Sequence, residues 1–113
     1  MEEIDKAYLA GLFDGEGDAA VYRVRATKNR KWYNRVQVRI TNTHRKTLEW
    51  VEDVVGSGNI NLEKRDKKSH KPCFRWQLTG SKAVQFLKCI KPFLKIKADR
   101  VANILAGPTN GPA

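Results

Sequence analysis

The sequence predicts an α+β domain in which helices cover one face of a largely antiparallel sheet. Three observations lead there. Segments that alternate apolar and polar residues come in adjacent pairs joined by short charged loops, the pattern of hairpins. Segments with helical spacing precede and follow each pair, so the element order is αββαββα with one more helix at the end. The 113 residues suffice for one modest core and not for two ordinary domains.

Ile4 to Phe13, dominated by Ala, Leu, Tyr and Lys, reads as a short helix ended by a turn at Asp14-Gly15-Glu16-Gly17. In the first strand Ala20, Tyr22, Val24 and Ala26 are expected on one face, with Val21, Arg23, Arg25 and Thr27 opposite. After a basic loop at 28–31, the second strand sets Val36, Val38 and Ile40 against Arg35, Gln37, Arg39 and Thr41. The hairpin should therefore have one apolar and one basic face. Thr43 is the expected N-cap of a second helix carrying Leu48, Val51, Val54 and Val55, which Gly56-Ser57-Gly58 stops. Residues 59–65 and 72–78 read as a second hairpin, with Ile60, Leu62, Phe74, Trp76 and Leu78 on its apolar face. Ser81 should cap a third helix with Ala83, Val84, Phe86, Leu87 and Ile90 inward. Pro92 breaks that helix, and 94–105 should form the last one. The domain is expected to occupy 1–106, with a loose Gly- and Pro-rich tail at 107–113.

Charge narrows the partners. Twenty-two basic and 12 acidic residues give a formal net charge of +10, a field that attracts polyanions, nucleic acid first. No apolar run approaches the roughly 20 residues that span a bilayer, and no stretch sets a basic face against a large aromatic one. The acidic start, Met1 to Asp5, is unlike a secretory signal. Cys73 and Cys89 lack metal-ligand spacing and are expected as reduced thiols in an intracellular compartment, bacterial, archaeal or organellar.

Tyr8-Leu9-Ala10-Gly11-Leu12-Phe13-Asp14-Gly15-Glu16-Gly17 closely resembles the signature of LAGLIDADG homing endonucleases, and the basic hairpin follows it at once. A core helix ending in a glycine turn is the plainer alternative. Ala7, Ala10 and Gly11 are small and spaced three to four apart, a face on which a second helix can approach closely. One copy of the motif supplies one acid, and a symmetric pair would supply two.

The resemblance implies an αββαββα fold with a saddle-shaped sheet, a homodimer, and a long, partly palindromic duplex DNA site cut by metal-dependent hydrolysis to leave 3′ overhangs. It implies Mg²⁺, replaceable by Mn²⁺, with Ca²⁺ supporting binding only, and neither a small-molecule cofactor nor a membrane. Glu16 matches the metal-binding acid, the Gly15 carbonyl a further ligand, and Asp14 a structural acid. Asn42 and Lys97 match the family's other catalytic-site residues. Asn42 is equally a turn residue and Lys97 one lysine among many; Lys46 is a weaker candidate for the same pocket. Asp18 stands where relatives carry a small or weakly polar residue.

For DNA contact the expected residues are Arg23, Arg25, Arg35, Gln37, Arg39, Asn59, Asn61, Arg65, Arg75 and Gln77 on the sheet, with Glu63 as its acid. Lys28, Arg30, Lys67, Lys68 and Lys71 in the loops suit phosphate. An intron-RNA maturase and a non-catalytic DNA-binding protein of the same fold remain alternative functions, and a ribosomal RNA-binding protein explains the charge but not the motif.

Overall fold

A computed structural model describes residues 1–63 and 71–107. The first helix, α1 (Glu3–Glu16), buries Leu9, Ala10, Phe13 and Asp14 and runs three residues past the expected stop. Gly15 and Glu16 stay helical, because anchoring of Asp14 outweighs the low helix propensity of the glycines. The chain then passes without a turn into β1 (Gly17–Arg25). Gly17 has an ordinary φ of −94°. Its need for glycine is steric, since a Cβ there would lie 2.7 Å from Phe13 Cγ and 2.8 Å from the Phe13 carbonyl oxygen.

The hairpin partner is β2 (Trp32–Asn42), followed by α2 (Arg45–Val55), β3 (Asn59–Glu63), β4 (Cys73–Thr79), α3 (Ser81–Ile90), a 3-10 turn at Lys91–Phe93 and α4 (Ala98–Ala106). The four strands form one antiparallel sheet ordered β1-β2-β4-β3, so the two hairpins meet where β2 pairs with β4. Helices cover one face. Val36, Val38, Ile40, Trp76 and Leu78 point into the core beneath them, with Leu48 and Val51 of α2 and Phe86, Leu87 and Ile90 of α3. Phe86 lies at ring-centroid distances of 5.3 Å from Trp76 and 6.2 Å from Phe13, joining α3 to the sheet and to α1. Among the described residues no helix is long and apolar enough to cross a membrane. Both cysteines are free thiols.

Four expectations change. Pairing sets Val21 opposite Val36 and Ala19 opposite Val38, so the odd-numbered residues of β1 face the helices. Arg23 and Arg25 therefore lie on the helix side, beyond the cover of the helices, while Asp18, Ala20, Tyr22 and Val24 share the polar face with Arg35, Gln37 and Arg39. Alternation alone did not decide this, because β1 carries small or apolar residues on both faces. Thr43 is no cap: α2 begins at Arg45 with His44 as N-cap. Ser81 is the first helical residue of α3, after Gly80 at φ +74°. The last helix starts at Ala98, not Leu94, leaving 94–97 irregular. Residues 108–113 of the expected tail, and Arg65, Lys67 and Lys68, lie outside the described residues.

The irregular stretch has a structural cause. Buried Asp14 accepts the backbone N–H of Lys95 at 2.7 Å and that of Lys97 at 2.9 Å. A continuous helix from 94 would give the Lys97 N–H to the carbonyl of Phe93 instead. Lys97 reciprocates: its Nζ donates to the carbonyls of Phe13 (3.1 Å) and Asp14 (2.9 Å), capping the C-terminal end of α1. On the far side, Arg100 of α4 donates through Nε and Nη2 to the Ala19 carbonyl of β1, at 3.1 and 2.8 Å. The end of α1 is thereby tied to both the last helix and the first strand.

Burial alone would raise the Asp14 pKa, but the N–H groups of Lys95, Lys97 and Ile96 and the Lys97 charge hold it below its ordinary 3.8. A depressed folded-state pKa means stability present above about pH 4 and lost as acid protonates the carboxylate through its lower native value. Asp14→Asn should cost about 1–3 kcal/mol at neutral pH, because one buried N–H then faces an amide NH₂. The deficit should shrink as pH falls below about 4; thermal melts of both proteins from pH 7 to pH 3 measure it.

Candidate active site and nucleic-acid interface

Glu16 is the last residue of α1, at the negative end of the helix dipole. Its side chain is exposed, and among the described residues nothing donates to it or pairs with it. The cleft beside it is lined by Gly15, Glu16 and Gly17 from the α1–β1 junction, Thr41, Asn42 and Thr43 from the end of β2, and Cys73 from the start of β4. Of the proposed catalytic set, the structure brings Gly15, Glu16 and Asn42 together. The Asn42 Oδ1 accepts the backbone N–H of His44 at 2.8 Å, so this residue both forms the turn and lines the cleft. Thr41, Thr43 and Cys73 escaped the sequence reading. The two threonines flank Asn42, whereas only the β2–β4 pairing brings Cys73 near.

Lys97 is not on that lining, and its ammonium is committed to the carbonyls of Phe13 and Asp14. Lys46 lies elsewhere, in a cleft with Tyr8, His44, Thr47 and Trp50. A carboxylate and the carbonyl oxygens of a helix end are hard donors suited to Mg²⁺ or Ca²⁺. Yet no three His, Cys, Asp or Glu residues cluster for a metal among the described residues.

Two more surfaces meet at Glu16. The first is the exposed side of α1, where Ile4 (75% exposed) and Tyr8 (59%) alternate with Ala7, Gly11 and Gly15. A Cβ built on Gly11 or Gly15 would meet nothing within 4 Å. Ala10 is not on this surface; it is fully buried in its own protomer, one position round the helix from Gly11.

The second surface is the polar face of the sheet. Pairing arranges it in rows across the strands: Thr41, Arg75 and Asn61; then Asp18, Arg39, Gln77 and Asn59; then Ala20, Gln37 and Thr79; then Tyr22 and Arg35. Several of its cations already have partners. Arg39 Nη2 bonds Asp18 Oδ2 at 3.1 Å, and Arg35 Nη2 donates to Thr79 Oγ1 at 3.0 Å. Arg75 Nε is buried without a partner among the described residues. The face thus carries Asp18 as well as Glu63, one acid more than alternation predicts. At the hairpin tip, on the helix side, the guanidiniums of Arg23 and Arg25 each lie 5.8 Å from the ring centroid of Trp32. Arg25 Nε also donates to the carbonyl of Arg30, which closes the loop containing Lys28.

No family model and no curated relative matches this sequence. Solved structures do match the fold. The homing endonuclease I-CvuI, solved in complex with the I-CreI target in the presence of Mg, superposes with a TM-score of 0.71 at 21% identity over 91% of this chain and 64% of its own. The archaeal intron-encoded homing endonuclease I-Vdi141I, complexed with DNA, gives 0.68 at 17% identity over 90% of this chain and 65% of its own. The LAGLIDADG homing endonuclease I-SmaMI, bound to cleaved DNA, gives 0.64 at 17% identity, with 88% of this chain covering 34% of that one. This chain thus spans a little under two thirds of the first two and about a third of the last. Its architecture, with the Tyr8–Gly17 motif spanning the end of α1 and the first residue of β1, is that of the LAGLIDADG homing endonuclease fold.

Proposed function

We propose that two copies of this chain pair through α1 and cut both strands of a long, partly palindromic DNA duplex by metal-dependent hydrolysis, leaving 3′ overhangs. The observation that carries this reading is the bare side of α1. Glycine within a helix costs about 1 kcal/mol relative to alanine. Gly11 and Gly15 accept that cost although nothing in their own protomer excludes a side chain. A second α1 laid against them by a two-fold axis explains both glycines and covers Ile4, Ala7 and Tyr8. The exposed charged residues of α1 are Glu3 and Glu16, so the chain's excess of positive charge does not oppose pairing there.

Such pairing brings two Glu16 carboxylates toward each other. At about 5 Å they would repel by roughly 3 kcal/mol at an effective dielectric near 20. Divalent cations held there would offset that repulsion, and the second chain would add its own carboxylate to the ligand set. Glu16 and the carbonyl of Gly15 would hold Mg²⁺ or Mn²⁺. When bound, the ion acidifies a water nucleophile and stabilises the leaving 3′ oxygen. Asn42, its Oδ1 held by His44, keeps an amide donor at the cleft for phosphate or water. Lys97 and Asp14 fix the end of α1 and so act as positioning residues. The basic sheet face follows the groove, with arginines and amides toward base edges and phosphates.

Selection of cut sites from a randomised duplex library with Mg²⁺, beside a Ca²⁺ control, tests the activity. Glu16→Gln should retain binding in Ca²⁺ and lose at least about 100-fold in cleavage, since even outer-shell partners of a metal cost 10–100-fold. A Glu16→Gln protein that cuts at the wild-type rate removes Glu16 from its role. Gly11→Leu separates pairing from folding. At concentrations low enough for wild type and variant both to be monomeric, the variant should melt no lower than wild type, given a gain of about 1 kcal/mol in helix propensity. Self-association should nevertheless weaken by about tenfold or more, equivalent to about 1.4 kcal/mol, and cleavage should fall with it.

A further inference from the structure

Asp18, like Glu63, is an acid on a face otherwise rich in arginines and amides. Its carboxylate repels a DNA backbone, and a half-exposed ion pair with Arg39 adds little to stability. Neither cost nor gain in those currencies accounts for its place. Its position in the sheet does. Asp18 stands directly opposite Arg39 on β2, Arg39 opposite Gln77 on β4, and Gln77 opposite Asn59 on β3, in one row across all four strands. The row begins two residues beyond Glu16, about 7 Å along the strand at roughly 3.3 Å per residue. That offset is close to the rise of two base pairs.

Within the row, Asp18 Oδ2 takes one Nη2 proton of Arg39 at 3.1 Å. This holds the guanidinium in one orientation above the sheet and leaves the donors on its other edges available. Arginine reads guanine by donating two parallel hydrogen bonds to O6 and N7, while an aspartate accepts from the N4 amino group of cytosine. The second oxygen of Asp18 has no partner among the described residues. Together the two side chains offer two donors and an acceptor, the complement of the acceptor, acceptor, donor row that a G·C pair presents in the major groove; an A·T pair presents acceptor, donor, acceptor.

We infer that Asp18 and Arg39 act as one unit that reads a single G·C base pair in each half of the DNA site. Asp18 is both the support that orients Arg39 and an acceptor for the cytosine. The inference rests on the nuclease reading above, insofar as the sheet face must lie in the major groove.

The test uses binding alone. Sites are selected from a randomised duplex library in Ca²⁺ with the wild-type chain, Asp18→Asn and Arg39→Lys, and each protein's melting temperature is recorded. The wild type should require G·C at one position per half-site. Asp18→Asn should melt like the wild type, relax that one position by about tenfold or more, keep its other preferences, and bind random duplex more tightly at low salt because a negative charge is gone. Arg39→Lys should relax the same position, since an ammonium lacks the two-pronged geometry. A defined wild-type site with no change in either variant, or with losses spread evenly over all positions, overturns the inference while leaving the nuclease reading intact. A wild-type chain that enriches no site overturns that reading and this one with it.

Discussion

The placement of Glu16 depends on the buried carboxylate of Asp14. Two backbone N–H groups from the irregular segment before α4 converge on it, and the ammonium of Lys97 returns to the carbonyls of α1. Burying a carboxylate is costly unless such donors meet it. Here they come from more than 80 residues away in sequence, so the bonds that satisfy Asp14 also dock the end of the chain against its first helix. Gly17 completes the arrangement by letting β1 leave the helix against the Phe13 ring. Glu16, between these two anchored neighbours, has a defined backbone position and an exposed side chain. Rigid support beneath a polar group that faces outward is the condition for a preorganised site.

Two surfaces with different chemistry meet at that point. The outer side of α1 is apolar, glycine-rich and free of arginine, which suits close packing of a like helix. The polar side of the sheet carries arginines, amides and threonines in ordered rows, which suits a polyanion with readable edges. The exposed side of α1 carries no arginine, so the excess of positive charge lies on other surfaces. The exposed carboxylate of Glu16 lies at their junction.

Much of this was legible in the sequence because its signals are local. The strict alternation of Val36, Val38 and Ile40 placed β2 correctly, and Trp76 and Leu78 did the same for β4. The Tyr8–Gly17 motif marked both the helix and the acid at its end. Errors arose where a long-range partner decides. In β1 the residues Ala19 to Val24 are ambiguous between faces, and only the pairing of Val21 with Val36 resolves them. That single shift moved Arg23 and Arg25 off the polar face and put Asp18 on it. Propensity called for a turn at Gly15, and for helix from Leu94, yet the Asp14 bonds overrule both. Ala10 was grouped with Ala7 and Gly11 by size and spacing, although burial separates it from them. The Asn42 alternatives proved to coexist, since a side chain that closes a turn also lines the cleft.

The pairing of two α1 helices is the premise on which cleavage of both strands stands. The most direct measurement is the mass of the protein–DNA complex by light scattering with a single selected duplex in Ca²⁺. Two chains per duplex is the expected stoichiometry, falling to one with a half-site duplex. One chain bound across an intact full-length site would contradict the shared arrangement of Glu16 residues and the function built on it.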